Sequence, residues 1–106
     1  MGFFSFLRPR DINEGLKRFH STPGAMLLDV RTRGEYDEWH IPGSFSLPLS
    51  ELHTAPSLIP SSSTPLFVYC LSGARSRSAV SALQRMGYSA ENIGGISSYR
   101  GEIERG

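Results

Sequence analysis

The sequence contains a single cysteine and a single lysine among its 106 residues, and it has no long apolar run. One cysteine excludes an internal disulfide and a cysteine-rich zinc site. Because no run of about eighteen apolar residues is present, we expect no membrane-spanning helix. Eleven basic residues against ten acidic residues give a net charge of +1, so we expect neither a strongly electropositive surface nor a nucleic-acid partner.

The length of the chain leaves room for one hydrophobic core. Apolar residues make up 39% and charged residues 20% of the sequence, a balance that is typical of a folded domain. We expect a single domain at residues 11–106, preceded by a short apolar segment at residues 1–10 whose role stays open. The apolar part of that segment is shorter than the core of a signal peptide, and we therefore expect a cytoplasmic protein.

Short apolar runs alternate with helical patterns along the chain. Asp11 and Thr32 each precede a glutamate by three positions, a capping-box pattern that predicts the start of a helix. Periodicity predicts helices near residues 11–20, 32–39 and 76–86, and strands at residues 25–30, 44–47, 66–69 and 92–93. This alternation predicts a mostly parallel sheet with helices on both faces.

Cys70 ends the clearest predicted strand, and a polar loop leads from it into the longest predicted helix. The loop residues are Leu71, Ser72, Gly73, Ala74, Arg75 and Ser76. In folds with parallel strands, ligands bind at the carboxyl ends of the strands. The inward-facing amides of such a loop, with the start of the following helix, bind anions and lower the pKa of a thiol. We therefore expect Cys70 to be a nucleophilic thiolate, with Arg75 adding positive charge at the rim.

A lone cysteine also has a simpler interpretation as a small buried apolar residue. The position of Cys70 at a strand–helix junction, with Gly73 and Arg75 after it, favours the functional interpretation. Ser72 and Ser76 either donate hydrogen bonds to the sulfur or to a bound oxyanion, or they solvate the loop and cap the helix. The sequence leaves both alternatives open for these two serines.

Other motifs accompany the cysteine loop. They are Leu28-Asp29-Val30-Arg31, Glu35-Tyr36, His40-Ile41-Pro42-Gly43-Ser44, Val68-Tyr69-Cys70, and Gly94-Gly95 followed by Tyr99. Each motif alone is weak, but their order and spacing over residues 27–100 resemble a single-domain rhodanese, a sulfurtransferase. The family usually has tryptophan where this chain has Tyr99. The resemblance implies an α/β fold with a small, mostly parallel five-stranded sheet flanked by helices on both faces.

The same resemblance implies roles for individual residues. Cys70 would be the catalytic residue that carries a persulfide, and residues 71–76 would form the substrate-binding loop. Asp29, Arg31 and Glu35 would be structural residues near the site that hold the fold by ion pairing. No metal or organic cofactor is expected.

The spacing of the loop separates two chemistries that the family architecture hosts. Arg75 follows Cys70 by five positions, whereas the related cysteine phosphatases would require arginine at the position of Ser76. The shorter loop suits a sulfur atom better than a tetrahedral phosphate, and it has no carboxylic acid to protonate a leaving alcohol. A phosphatase or an arsenate reductase is therefore disfavoured. His40, which precedes the turn at Ile41-Pro42-Gly43, is expected to have a packing role. The histidines, His20 among them, are scattered along the sequence and are not expected to form a metal site.

The resemblance implies transfer of a sulfane sulfur from thiosulfate or a low-molecular-weight persulfide to a thiol or cyanide through a Cys70 persulfide. The expected partners are a small anionic sulfur donor and a thiol or protein-cysteine acceptor, and we expect a monomer. Since no second cysteine is present to resolve the persulfide, an external acceptor must discharge it. Two alternatives stay open: a partner-specific persulfide relay, and a noncatalytic binding module.

Overall fold

The computed structural model describes residues 10–106, in which strands and helices alternate. The strands are β1 (Met26–Asp29), β2 (Ser44–Ser46), β3 (Pro65–Cys70) and β4 (Ser89–Gly95). The α-helices are α1 (Ile12–His20), α2 (Arg33–Glu38), α3 (Ala55–Leu58) and α4 (Ala74–Arg85), and two 3₁₀ helices span Leu49–Thr54 and Ile96–Ser98.

The strands of the described residues form one parallel sheet in the order β2-β1-β3-β4. Leu28 of β1 lies opposite both Phe45 of β2 and Val68 of β3, so β1 and β3 are central. The predicted α/β class with a parallel sheet is confirmed, but the expected number of five strands is wrong for residues 10–106, which contain four. Their other segments form helices and loops, and the C-terminal tail adds only an isolated antiparallel bridge between His40 and Glu104.

Side-chain caps explain where the first two helices begin. Thr32 Oγ1 accepts a hydrogen bond from the Glu35 amide, and the Glu35 carboxylate accepts one from the Thr32 amide, so the predicted capping box of α2 is confirmed. At α1, the Asp11 carboxylate accepts a hydrogen bond from the Asn13 amide at 3.0 Å. The box predicted for α1 is thus reduced to a single side-chain cap among the described residues.

Two apolar layers cover the two faces of the sheet. Successive residues of β3 alternate between the layers, because side chains of a strand point to opposite faces. Phe67 and Tyr69 belong to the layer that contains the buried residues of α1, and Val68 and Cys70 belong to the layer that contains those of α4. Helices therefore lie on both faces of the sheet, as predicted.

The C-terminal tail pairs with the loop after α2, whereas most of the N-terminal segment lies outside the described residues. The apolar segment predicted at residues 1–10 lies outside the described residues except for Arg10, and the domain limits of 11–106 stay a prediction. The amides of His40 and Glu104 each donate to the carbonyl of the other at 2.8 Å, which ties the tail to the loop after α2. None of the helices among residues 10–106 combines the length and the apolar character of a membrane span.

Candidate active site

Cys70 is the last residue of β3, and its side chain lies where the central strands end. Cys70 pairs with Gly95 of β4, and α4 begins at Ala74, two residues earlier than predicted. Residues 71–73 therefore make the whole connection between strand and helix. The thiol lies at the N-terminal end of a twelve-residue helix, whose dipole and unpaired amides favour negative charge.

Three hydrogen-bond donors surround the Cys70 sulfur. The Gly73 amide donates to Sγ at 3.0 Å, and the Ser76 amide donates to it at 3.4 Å. The Ser76 hydroxyl lies 3.5 Å from the same sulfur. The expected concavity of backbone amides is thus present around the one cysteine of the chain.

Two opposing effects act on the pKa of the Cys70 thiol. Burial by itself raises this pKa, because it removes water from the charged thiolate. Hydrogen bonds to the sulfur from Ser76 and from the Gly73 amide favour the thiolate and outweigh burial. The pKa of Cys70 consequently lies below its ordinary value, and the thiolate is the more reactive form.

Two glycines allow the loop to take this shape. Gly73 has a φ of +105°, in the left-handed region that other residues rarely adopt, and it caps α4. Gly95 lies against the loop so closely that a Cβ there would collide with the Leu71 carbonyl oxygen and with Ser72 Cα. The loop therefore rests directly on the backbone of β4.

Asn92 anchors the loop from β4, although no sequence pattern predicted a role for it. Its Nδ2 donates to the Gly73 carbonyl at 3.1 Å, and its Oδ1 accepts from the Ser76 hydroxyl at 2.7 Å and from the Gly94 amide at 3.0 Å. Asn92 is buried. The signal that was available is an asparagine, a residue depleted in strands, within a predicted strand just before two glycines.

The Ser76 hydroxyl has one proton and three neighbours that accept. Asn92 Oδ1 at 2.7 Å is closer than the Gly73 carbonyl at 3.1 Å or the Cys70 sulfur at 3.5 Å. Since a hydroxyl donates one hydrogen bond, its proton is directed mainly to Asn92 in this arrangement. The backbone amides of Gly73 and Ser76, which have no such competitor, are the principal donors to the sulfur.

Arg75 is paired with Glu35 rather than alone at the rim. Arg75 Nη1 lies 2.6 Å from Glu35 Oε1, and Nη2 lies 3.0 Å from Oε2, a bidentate ion pair between the start of α4 and the first turn of α2. Arg75 lowers the pKa of the Glu35 carboxyl to about 2, and Glu35 raises the pKa of Arg75. Both groups are therefore charged at neutral pH.

Asp29 and Arg31 form a second, buried ion pair at the end of β1. Arg31 Nη2 lies 2.7 Å from Asp29 Oδ2, and Arg31 Nε lies 3.0 Å from Oδ1. Arg31 Nη2 also donates to the Trp39 carbonyl at 2.8 Å, and its guanidinium lies 5.1 Å from the centre of the Trp39 ring. The pair links β1 to the end of α2, and the structural role expected for both residues stays a prediction.

Leu71, Ala74 and His40, which the sequence also singled out, lie near the cysteine loop or near α2. Leu71 is 40% exposed at the loop, and Ala74 is the first residue of α4. His40 is buried and stacks on Tyr36, with ring centroids 3.7 Å apart, so its packing agrees with the expectation. Among residues 10–106, no three histidine, cysteine, aspartate or glutamate side chains come together as a metal site.

Comparison with known proteins relates the sequence and the fold to one family. The model of the rhodanese-like domain matches residues 12–102. Thiosulfate sulfurtransferase PspE of Escherichia coli is 34% identical over 71 residues, covering 65% of this chain and 68% of that protein. Adenylyltransferase and sulfurtransferase uba4 of Ogataea parapolymorpha is 28% identical over 97 residues, and this chain covers only 25% of its length.

A solved structure described as a rhodanese with anions from E. coli superposes on this chain with a TM-score of 0.71. It is 30% identical in sequence, and the superposition covers 77% of this chain and 99% of that chain. The family match extends over almost the whole described structure, including both ion pairs, Cys70 and Asn92. The chain therefore belongs to the rhodanese-like domain family.

Proposed function

We propose that this protein is a rhodanese-type sulfurtransferase in which Cys70 carries the transferred sulfur as a persulfide. The observation that carries the proposal is the sulfur of Cys70 at the start of α4, with the Gly73 and Ser76 amides directed at it. Two of the relatives bear names that include sulfurtransferase activity, which supports the same reaction class. The proposed donor is thiosulfate or a low-molecular-weight persulfide, and the proposed acceptor is a thiol, or cyanide in an assay.

In the first half-reaction, the Cys70 thiolate attacks the outer sulfur of thiosulfate. A bond forms between Cys70 Sγ and that sulfur, while the sulfur–sulfur bond of thiosulfate breaks and its electron pair leaves with sulfite. Cys70 then carries an S–S⁻ group, and the negative charge stays in the field of the loop amides and α4. With a persulfide donor, the leaving group is the thiolate of the carrier.

In the second half-reaction, a nucleophile attacks the outer sulfur of the Cys70 persulfide. Cyanide takes the outer sulfur and becomes thiocyanate, or a thiolate takes it and becomes a new persulfide. The bond between Cys70 Sγ and the outer sulfur breaks, and its electron pair stays on Cys70, which becomes a thiolate again. The two steps predict ping-pong kinetics. A thiol acceptor fits the expected cytoplasmic location, where thiols stay reduced; this location and the monomeric state stay predictions.

The direct test is the mass of the intact protein after treatment with thiosulfate or glutathione persulfide and removal of the excess donor. The proposal predicts a gain of one sulfur atom, its loss on addition of cyanide, and no gain in the Cys70→Ser variant. If neither donor adds sulfur to the folded protein, the proposal is wrong and the noncatalytic binding module is favoured. A sulfur adduct that neither cyanide nor small thiols remove would instead favour the partner-specific relay.

A further inference from the structure

The pairing of Arg75 bears on which sulfur donor the site accepts. Both terminal nitrogens of its guanidinium are engaged by both oxygens of the Glu35 carboxylate, at 2.6 and 3.0 Å. Glu35 Oε1 also accepts hydrogen bonds from the Thr32 amide at 3.0 Å and from the Thr32 hydroxyl at 3.1 Å. The carboxylate is thus held by α2, and it holds the arginine of the loop in turn.

This ion pair has no net charge, because both of its members are ionised at neutral pH. The loop amides donate hydrogen bonds to one anionic sulfur, at the position of Cys70 Sγ. Thiosulfate brings two negative charges to the same rim, where the Glu35 carboxylate is already present. Leu71, 40% exposed, adds an apolar surface to the loop. A donor with an uncharged carrier group suits such a rim better than a dianion does.

We propose that Glu35 sets the donor class of this site: by neutralising Arg75 it favours persulfides with an uncharged carrier over the thiosulfate dianion. The proposal rests on the proposed sulfurtransferase function and names its substrate class. Glu35 acts through Arg75, so it is a specificity-determining residue and not a catalytic one. If Glu35 loses its charge, the positive charge of Arg75 becomes available to an anionic donor.

The test compares the catalytic efficiency of the protein with two sulfur donors, expressed as one ratio. The value of kcat/KM with thiosulfate is divided by the value of kcat/KM with 2-hydroxyethyl persulfide, whose carrier is uncharged. Glu35→Gln removes the negative charge, while glutamine at this position still accepts the hydrogen bond of a capping box. The proposal predicts that this variant raises the ratio roughly fivefold, as one unit charge near a dianion does in a solvated site. The gain must shrink as salt is added.

Two further variants separate charge from loss of structure. Glu14→Gln removes the same charge from an exposed pair with Lys17 on α1, and the ratio must not change. Glu35→Gln combined with Arg75→Gln leaves the rim neutral again, so the ratio must return to the value of the unmodified protein. If Glu35→Gln leaves the ratio unchanged, or weakens both donors equally, Glu35 only supports the loop and the proposal is overturned.

Failure of the proposed function gives a different result. If neither donor adds sulfur to Cys70 of the unmodified protein by mass, the sulfurtransferase function fails and the donor selectivity falls with it. If both donors add sulfur but the ratio does not respond to Glu35→Gln, the function stands and only the inferred selectivity is overturned. Thermal unfolding of each variant verifies that the compared proteins are folded.

Discussion

Asn92 and Ser76 do not react in the proposed chemistry, yet they fix the hydrogen-bond donors around the Cys70 sulfur. Asn92 bonds to the Gly73 carbonyl and to the Ser76 hydroxyl, so it holds both ends of the turn whose amides face the sulfur. A buried side-chain amide with three hydrogen-bond partners holds those partners in place. If the amide moved, each partner would lose a hydrogen bond that water cannot replace. We therefore expect the pKa of Cys70 to depend on Asn92, a residue that does not touch the sulfur.

Asn92→Ala is therefore expected to raise the pKa of Cys70 toward its ordinary value, because the loop amides lose their fixed direction. The loss of buried hydrogen bonds is also expected to destabilise the fold by about 1–3 kcal/mol. The measurement is the pH dependence of the thiolate absorbance of Cys70.

The matched control for this variant is Asn13→Ala. Asn13 bonds to the Ser98 carbonyl and the Arg100 amide, outside the cysteine loop. This control is expected to lower stability without moving the titration of Cys70. An unchanged titration midpoint in Asn92→Ala would show that the loop keeps its shape without Asn92.

β4 supports the cysteine loop through its backbone as well as through Asn92. The Ser97 amide, just after this strand, donates to the Leu71 carbonyl at 3.1 Å, and Gly95 lies directly under the loop. β3 and β4 change register between Val68 and Tyr69, and this irregularity sets which residues of β4 face the loop. The position of the loop is therefore a property of two adjacent strands.

Gly95→Ala is expected to displace the loop, because its Cβ would meet backbone atoms of Leu71 and Ser72 that cannot move independently. The expected loss of stability is about 1–3 kcal/mol, as for other overpacked sites, with slower alkylation of Cys70. The control is Gly34→Ala in α2, where a Cβ meets nothing within 4 Å and where alanine favours a helix. Equal stabilities of the two variants, measured by urea unfolding, would contradict the close contact at Gly95.

The sequence predicted the alternation of helices and strands because each element carries its own period and cap, as Thr32 and Glu35 show at α2. It also placed Cys70 at the end of a strand, because the apolar run of β3 stops there. It could not pair Arg75 with Glu35, which lies 40 positions earlier, or place Asn92 under the loop. Those contacts depend on the order and register of the strands, which local patterns do not encode.

The error in the number of strands has a related origin. The periodic pattern supplied four strand segments, and the fifth strand came from the resemblance alone. The described tail forms one bridge from Glu104 to His40 and does not join the sheet. The local sequence patterns therefore gave the correct number of strands for the described residues, and the typical strand number of the family did not.

Across the whole domain, two apolar layers and one buried ion pair hold the sheet that carries the site. Asp29 and Arg31 are almost fully buried at the end of central strand β1, one strand away from Cys70. A buried ion pair does not by itself add much stability, but removal of one partner leaves the other charge without compensation. The integrity of the site therefore depends on a pair that takes no part in the proposed reaction.

Asp29→Asn keeps the shape of the side chain and removes its charge, so it is expected to destabilise the protein by about 3–5 kcal/mol. Glu51→Gln breaks the exposed pair with Arg33, and its expected effect is below about 1 kcal/mol. Denaturant unfolding of both variants gives the comparison. Similar losses in the two would mean that Arg31 finds other compensation, and the structural role given to Asp29 would be wrong.

The central claim is that backbone amides and the start of α4 lower the pKa of the single thiol of this chain and so favour its thiolate form. A titration of the thiolate absorbance tests it most directly, because Cys70 is the only cysteine and Cys70→Ser supplies the blank. The predicted result is a midpoint below the pKa of an unperturbed cysteine thiol. A midpoint at or above that value would contradict the claim, and with it the basis for the proposed persulfide chemistry.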